Sequence, residues 1–334
     1  MTKKQVVVIG AGIAGMQTAI QLKRHGVEPI IIERDSAAGG KVRNWFVLFP
    51  TFTPATEVIE PLIKQIEELG IELRLNSEVI ALTPTSVTLA SGEVLECEAV
   101  ALCSGSTIFD ARLKEEYGYG IYDNVYTSVD IERMLAEGMP ADKQPRRIAV
   151  LHCVGSRDEK VCQRHCSKVC CITGVKQAIE LKKLYPEAEV FNFYMDMRMF
   201  GPGYEELYHT AQRRHNIHFV RGRISEASPL MDGRVQIKAE DTLTGRPMRM
   251  SVDMLVLLVG MRANDENTRL AESAGIRLAE SGFMRSRNLF GDNTLASEDG
   301  IFYAGTITTP KSIGETLNDA IVAADRIVEY LNSK

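Results

Sequence analysis

Five of the seven cysteines of this chain fall within residues 146–178, at Cys153, Cys162, Cys166, Cys170 and Cys171. Thiols at that density suit metal ligation, disulfide formation or thiol redox chemistry. Four thiolates converging from one loop and the start of one helix are what an iron–sulfur cluster needs. A tetrahedral zinc site also takes four cysteines, but ordinarily as two separated Cys-x2-Cys pairs, whereas Cys170 and Cys171 are adjacent. An odd count of seven, with no export signal, gives no tidy disulfide framework. We therefore expect an iron–sulfur cluster, with zinc and inert or redox thiols as the alternatives. Five candidates compete for four places.

The flanking elements can be read from the pattern. Residues Ile148–Leu151 form a buried strand, and a helix begins near the Cys170–Cys171 pair. The helix N-terminus and the cations Arg157, Lys160, Arg164, Lys168 and Lys176 favour thiolates and offset the negative charge of a cluster. In a doubly wound domain this turn would hold a glycine-rich nucleotide loop. Here it reads His152-Cys153-Val154-Gly155-Ser156, so close approach of a pyrophosphate is lost. NAD(P)H binding is expected to be weak or absent. Of the six histidines, none has metal-ligand spacing, although His152 and His165 stand beside the thiols in sequence.

A second constellation opens the chain. The strand Val6–Ile9 leads into Gly10-Ala11-Gly12-Ile13-Ala14-Gly15 and an amphipathic helix. A further strand, Ile30–Ile32, ends at Glu33, 18 residues after Gly15, where a carboxylate can accept the hydroxyls of an adenosine ribose. The glycines let backbone approach a pyrophosphate held at the helix N-terminus. A dinucleotide is expected here, and the glycine pattern by itself leaves FAD and NAD both open.

Composition sets the bounds. The 334 residues are long enough for two domains, 45% are hydrophobic, and 39 basic against 44 acidic residues give a net charge of −5. No basic footprint for nucleic acid is present. No apolar run reaches the roughly 18 residues of a membrane span. A reducing cytoplasm is the expected location. The remaining pattern gives strands at Ile71–Leu75 and Glu78–Leu82, with turns at Pro84 and Ser91-Gly92. A connector over 106–145 carries a short helix at Ser128–Ala136. Then come strand Val190–Tyr194, helix Tyr204–His215 and strand Ile217–Arg221. A hairpin of Val235–Ala239 and Arg249–Asp253 precedes the buried run Met254–Val259, and a long helix ends near Leu331.

Three segments resemble signatures of the FAD-binding disulfide-reductase superfamily. These are Glu33-Arg34-Asp35 followed by Gly39-Gly40-Lys41-Val42, the strand ending Leu102-Cys103-Ser104-Gly105, and Phe302-Tyr303-Ala304-Gly305-Thr306. The resemblance implies an α/β fold of two Rossmann-like, thioredoxin-reductase-like three-layer domains. The FAD domain is discontinuous, 1–110 and 263–334, and the second domain spans 111–262. It also implies adenine contact at the main chain of Val79, and a last helix directed at the flavin from Ser312, Ile313 and Thr316. The superfamily has aspartate where Thr306 stands, so a hydroxyl or backbone takes that contact. Cys103 reads as a small residue in an alanine position. There is no Cys-x-x-Cys redox pair, which disfavours thioredoxin-reductase activity.

A narrower resemblance is carried by Cys153-Val-Gly-Ser-Arg157, Cys166-Ser-x-Val-Cys170-Cys171, Lys176-Gln-Ala and Asp196-Met-Arg198-x-Phe200-Gly201-x-Gly203-Tyr204-Glu-Glu206. With Phe49-Pro50-Thr51 and Pro310-Lys311, these resemble the A-type subunits of heterodisulfide reductase over nearly the whole chain. The family implies cluster ligation by Cys153, Cys166, Cys170 and Cys171, with Cys162 spare, a flavin contact at Thr51, and Lys176 as a cation near the flavin. Further clusters of the longer methanogen form have no counterpart here, so a single relay without electron bifurcation is expected. The short form is similar to the flavoprotein of the heterodisulfide-reductase-like complex of sulfur oxidisers. That implies a homodimer working with B- and C-type subunits and a lipoate-binding protein. A self-contained FAD/NAD(P)H disulfide reductase and an FAD-binding assembly scaffold are the alternatives.

Overall fold

The structure, a computed structural model, describes residues 4–140 and 144–334. Residues 141–143 of the expected connector lie outside the described residues. The chain divides into two compact units, 1–43, 55–107 and 262–334 in one, and 44–54 with 108–261 in the other. Residues 44–54 lie within the first domain in sequence but pack with the second unit.

The first unit is built on a five-stranded sheet in the order Ile301–Tyr303, Ala99–Leu102, Gln5–Ile9, Glu28–Ile32, Glu72–Arg74. All its pairs are parallel. Continuous apolar strands such as Val6–Ile9 suit this position, because both faces are covered. Helices Ile13–Arg24 and Ile313–Ser333 pack together. An antiparallel meander of Val79–Thr83, Ser86–Leu89 and Val94–Glu96 supplies Val87, Leu89 and Leu95 to a core shared with Val7, Ile9 and Ile32.

The second unit repeats the plan. Its parallel sheet runs Val125–Thr127, Met254–Val259, Arg147–Val154, Glu189–Tyr194, His218–Arg221. The period of two along Arg147–Val154 sorts its side chains. Ile148 and Val150 join the core under helices Ser128–Glu137, Cys170–Leu184 and Tyr204–Arg213. Ala149 and Leu151 join the opposite core, against an antiparallel meander of Ile224–Pro229, Val235–Asp241 and Arg246–Val252. Helices Thr56–Glu68 and Asn267–Ala274 are among the elements that exceed the expectation from sequence, and so are two strands. Val125–Thr127 is an edge strand inside the expected connector, and Ile224–Pro229 is the meander's first strand. Val125–Thr127 is defined by its distant partner Met254–Val259, which local pattern does not reveal, whereas Ile224–Pro229 pairs across a short turn with Val235–Asp241.

Candidate functional site

In the first unit the strand Gln5–Ile9 delivers its turn to the N-terminus of helix Ile13–Arg24. Gly10 has φ +104°, and a Cβ there would lie 2.7 Å from Cys103 O. A Cβ on Gly15 would lie 1.8 Å from Gly10 O, so the helix can seat on the turn only without one. Gly12 differs: its φ is −72°, and a Cβ would meet nothing nearer than Gly40 Cα at 4.0 Å. The helix has no side-chain N-cap, leaving first-turn N–H groups to serve an anion. The Gly39 N–H donates to Ala11 O at 2.8 Å, which sets Gly40, Lys41 and buried Val42 alongside that turn.

Glu33 is buried at the end of its strand. Its Oε2 accepts from Ala11 N at 2.7 Å and its Oε1 from Asp35 N at 2.8 Å, which orients the carboxylate. Arg34 pairs with Glu266 at 2.8 Å. Lys41 Nζ donates to Ser106 O, and burial, then the Arg34 charge, pull its amine below the ordinary lysine range. The Cys103-Ser104-Gly105 turn is fixed by Asn264, whose Nδ2 donates to Ser104 O and Gly105 O at 3.1 Å. Sequence reasoning misses Asn264, which follows Ala263 in a stretch whose pattern carries no motif. Burial pushes the Cys103 thiol up to about 12, as fits an unreactive packing residue. Ser104 Oγ is buried without a partner.

Thr306 Oγ1 accepts from Ser106 Oγ at 3.1 Å, and Gly305 O accepts from Lys311 Nζ at 2.9 Å. Ser312 caps the last helix through a capping box with Glu315, just ahead of Ile313 and buried Thr316. Val79 is buried in its strand, and its carbonyl accepts from Arg269 at 3.3 Å. An open slot over Gly12, uncapped N–H groups and the unpartnered Ser104 hydroxyl fit a dinucleotide. Thr51 belongs to the second unit, where its hydroxyl lies 2.6 Å from that of Thr53.

In the second unit the thiols gather at the end of strand Arg147–Val154. Its register shifts between Leu151 and Val154, and Cys153 takes a left-handed φ of +61°. Arg157, Cys162 and Lys168 also have positive φ, at 54°, 55° and 63°. Such backbone is disfavoured for residues with a Cβ, and its concentration here means that the loop is held by its surroundings. The Asp158–Gln163 backbone bridge closes the loop. Asp158, in turn, is buried against Lys114 at 2.8 Å and Arg223 at 2.7 Å.

Helix Cys170–Leu184 starts on the expected pair, with no side-chain cap and no acid in its first turn. The Cys153, Cys170 and Cys171 thiols are buried and lie close enough to shift one another's ionisation in series. Interaction with Cys170 draws the Cys171 thiol well below the ordinary thiol range against the opposing effect of burial, with the nearby His152 ring adding to the shift, and Cys170 bears the opposite shift. Cys166 Sγ accepts from Lys168 N at 3.3 Å. The Arg157 guanidinium feels the charges of both Cys153 and Cys166. Cys162 is exposed. Among the described residues no group of three or more Cys, His, Asp or Glu already stands in metal-binding geometry. All seven cysteines are free. The donor chemistry nevertheless fits a thiolate-bound metal: three clustered thiols, a fourth beside the same arginine, and a buried imidazole nitrogen, His152 Nδ1, without a partner.

Lys176 lies farther along that helix. Its Nζ is 2.5 Å from Glu132 Oε1 and 2.9 Å from Val47 O, within the second unit.

The family model for pyridine nucleotide-disulphide oxidoreductases matches residues 4–325. The chain belongs to that family. It is an oxidoreductase with a FAD-binding fold. Two thioredoxin reductases share the fold over 99% of the chain: that of T. acidophilum at 19% identity and TM-score 0.70, covering 99% of that structure, and that of Lactococcus lactis at 17% and 0.71, covering 100%. Sequence relatives are the A-type subunits of heterodisulfide reductases. The A-type iron-sulfur subunit of the CoB–CoM heterodisulfide reductase of Methanocaldococcus jannaschii is 29% identical over 97% of this chain and 64% of that protein. The first of two such subunits of Methanopyrus kandleri is 37% identical over 69% of this chain and 36% of that protein. The chain thus spans less than two thirds of the length of these relatives. Among the described residues no helix is long and apolar enough to cross a membrane.

Proposed function

We propose that this chain is the electron-transfer flavoprotein of a heterodisulfide-reductase-like complex, with FAD in the first unit and one [4Fe–4S] cluster in the second. The observation that carries this reading is the convergence of Cys153, Cys170 and Cys171 on an uncapped helix start, at the position where a nucleotide loop would stand. The missing glycines of that turn weigh against NAD(P)H as a partner. A flavin exchanges electrons in pairs or singly and an iron–sulfur cluster singly, so the two together link those regimes.

The protein's own residues bind and tune. Gly10, Gly12 and Gly15 admit the pyrophosphate, Glu33 receives ribose hydroxyls, and Asn264 holds the Ser104–Gly105 turn for the flavin. Cys153, Cys166, Cys170 and Cys171 ligate the cluster, with Arg157 offsetting its charge. Lys176 is the candidate catalytic cation. We read the chain as a non-bifurcating relay in cytoplasmic sulfur oxidation, paired with a second copy and with B- and C-type and lipoate-bearing partners.

The test is anaerobic purification, assay of iron, sulfide and FAD, and EPR after dithionite reduction. The reading expects about four irons per chain, lost in Cys166→Ala and kept in Cys162→Ala. Zinc, or full FAD without metal, overturns it.

A further inference from the structure

Three observations converge on His152. First, the side chain is 2% exposed, with Nε2 2.8 Å from Asn192 Oδ1. Asn192 is fully buried in the neighbouring strand, Glu189–Tyr194. Second, helix Cys170–Leu184 carries Gly174 in its first turns, although an interior glycine weakens a helix by about 1 kcal/mol relative to alanine. A Cβ there would lie 2.8 Å from His152 Nε2 and 2.3 Å from Leu258 Cδ1. The helix gives up a methyl group where Leu258 and the imidazole both need the space. Third, Nδ1 has no hydrogen bond of good geometry, while the ring stands within reach of the Cys171 thiol. The thiol itself faces Asp196 O, at 3.6 Å.

A buried imidazole nitrogen without a partner is unfavourable, so its persistence beside a thiol asks what it would bond. A free thiol can donate or accept, but a metal-bound thiolate only accepts. Facing a thiolate, Nδ1 must carry the ring proton, and a neutral ring then has a lone pair at Nε2. Asn192 suits both cases. Its Oδ1 accepts from an Nε2–H, and a half-turn of the amide puts Nδ2 there as a donor to the lone pair. As it stands, Asn192 Nδ2 is itself unpartnered. The half-turn exchanges donor for acceptor in the same space.

We infer that His152 is a positioning residue that donates from Nδ1 to the Cys171 sulfur of the loaded site, with Asn192 selecting the ring tautomer and Gly174 providing the room. Such a donor interacts more strongly with the more negative, reduced cluster, and so raises its potential. The inference rests on the cluster reading above.

The test uses the full chain purified anaerobically, with an EPR-monitored redox titration of the cluster. His152→Leu should keep its iron but show a lower midpoint potential. His152→Asn, whose amide nitrogen falls near the place of Nδ1, should recover part of the shift. Loaded His152→Leu with an unmoved potential overturns the inference and leaves the cluster reading standing, whereas an unmutated chain without iron takes down both. If His152→Leu does not fold, 15N-histidine incorporated in a His165→Gln background decides the matter. A weak 15N coupling in the pulsed EPR spectrum of the reduced cluster is expected, and its absence refutes the hydrogen bond.

Discussion

Lys176 Nζ stands 2.5 Å from Glu132 Oε1, and the two side chains are only 2% and 6% exposed. Around this pair Gln177 Nε2 donates to Glu132 at 2.7 Å and to Ser128 O at 2.8 Å. The pair also holds residues 44–54: Phe46 N donates to Glu132 Oε2 at 3.1 Å, and Val47 O accepts from the lysine. Phe49 then packs edge-on to Tyr204, and Lys183 lies over the Phe52 ring at 4.5 Å. One buried ion pair thereby fastens a segment and joins two helices.

Removing the cation should strand two buried carboxyls. Lys176→Met is expected to lower stability by about 3–5 kcal/mol, because breaking one side of a buried pair leaves an uncompensated charge. The double variant Lys176→Met/Glu132→Leu should lose less than Lys176→Met alone. Urea unfolding of the three proteins checks this, and a double variant worse than the single would reject the account.

Glu180 gives a pH prediction. It lies 3.2 Å from Lys176 Nζ, yet neither carboxylate oxygen makes a hydrogen bond of good geometry. Burial, opposed by the Lys176 charge, raises its carboxyl from 4.5 to about 7. Between those values the folded protein binds more protons here than the unfolded chain does. Glu180 therefore contributes stability that is fully present below about pH 4.5 and is lost as pH rises through about 7. In Glu180→Gln this part of the slope between those pH values should vanish, as read from urea midpoints at each pH. An unchanged slope would place the titration elsewhere.

Asp158 anchors the loop between Cys153 and Cys166. Burial opposes ionisation, but Lys114 and Arg223 prevail and hold its carboxyl below the usual range. Asp158→Asn should destabilise the fold by about 3 kcal/mol by leaving buried Lys114 with Glu116 alone. It should also speed backbone hydrogen exchange at Arg157 and Gln163, whose amides close the loop. Exchange unchanged there would show that the loop holds itself.

The two glycines of the first turn should behave differently. Gly10→Ala must fit a Cβ 2.7 Å from Cys103 O at φ +104°, so folding itself should suffer. Gly12→Ala meets no such contact, and its stability from urea unfolding should stay within about 0.5 kcal/mol of the parent's in the flavin-free protein. Its flavin content, read from visible absorbance, should nevertheless fall, because the methyl group fills the slot the pyrophosphate needs. Full flavin content in Gly12→Ala would put the cofactor elsewhere.

The sequence alone was enough for several features that rest on local spacing, though the amphipathic helix Thr56–Glu68 was not among them. The unbroken apolar runs Val6–Ile9 and Met254–Val259 announce buried strands, Gly10, Gly12 and Gly15 announce a tight turn into a helix, and the thiols mark the helix start at Cys170. Each is a short-range pattern whose physical cause acts within a few residues. What tertiary structure decided depends on neighbours far along the chain. Residues 44–54 pack with the second unit because a lysine and a glutamate about 90 to 130 positions away meet their backbone. Val125–Thr127 is a strand because Met254–Val259 offers it an edge. His152 meets Asn192 because two parallel strands align, and it has room because a helix glycine faces it. A lone buried histidine carries no spacing signal. Its chemistry comes from packing, and packing is written across the whole chain.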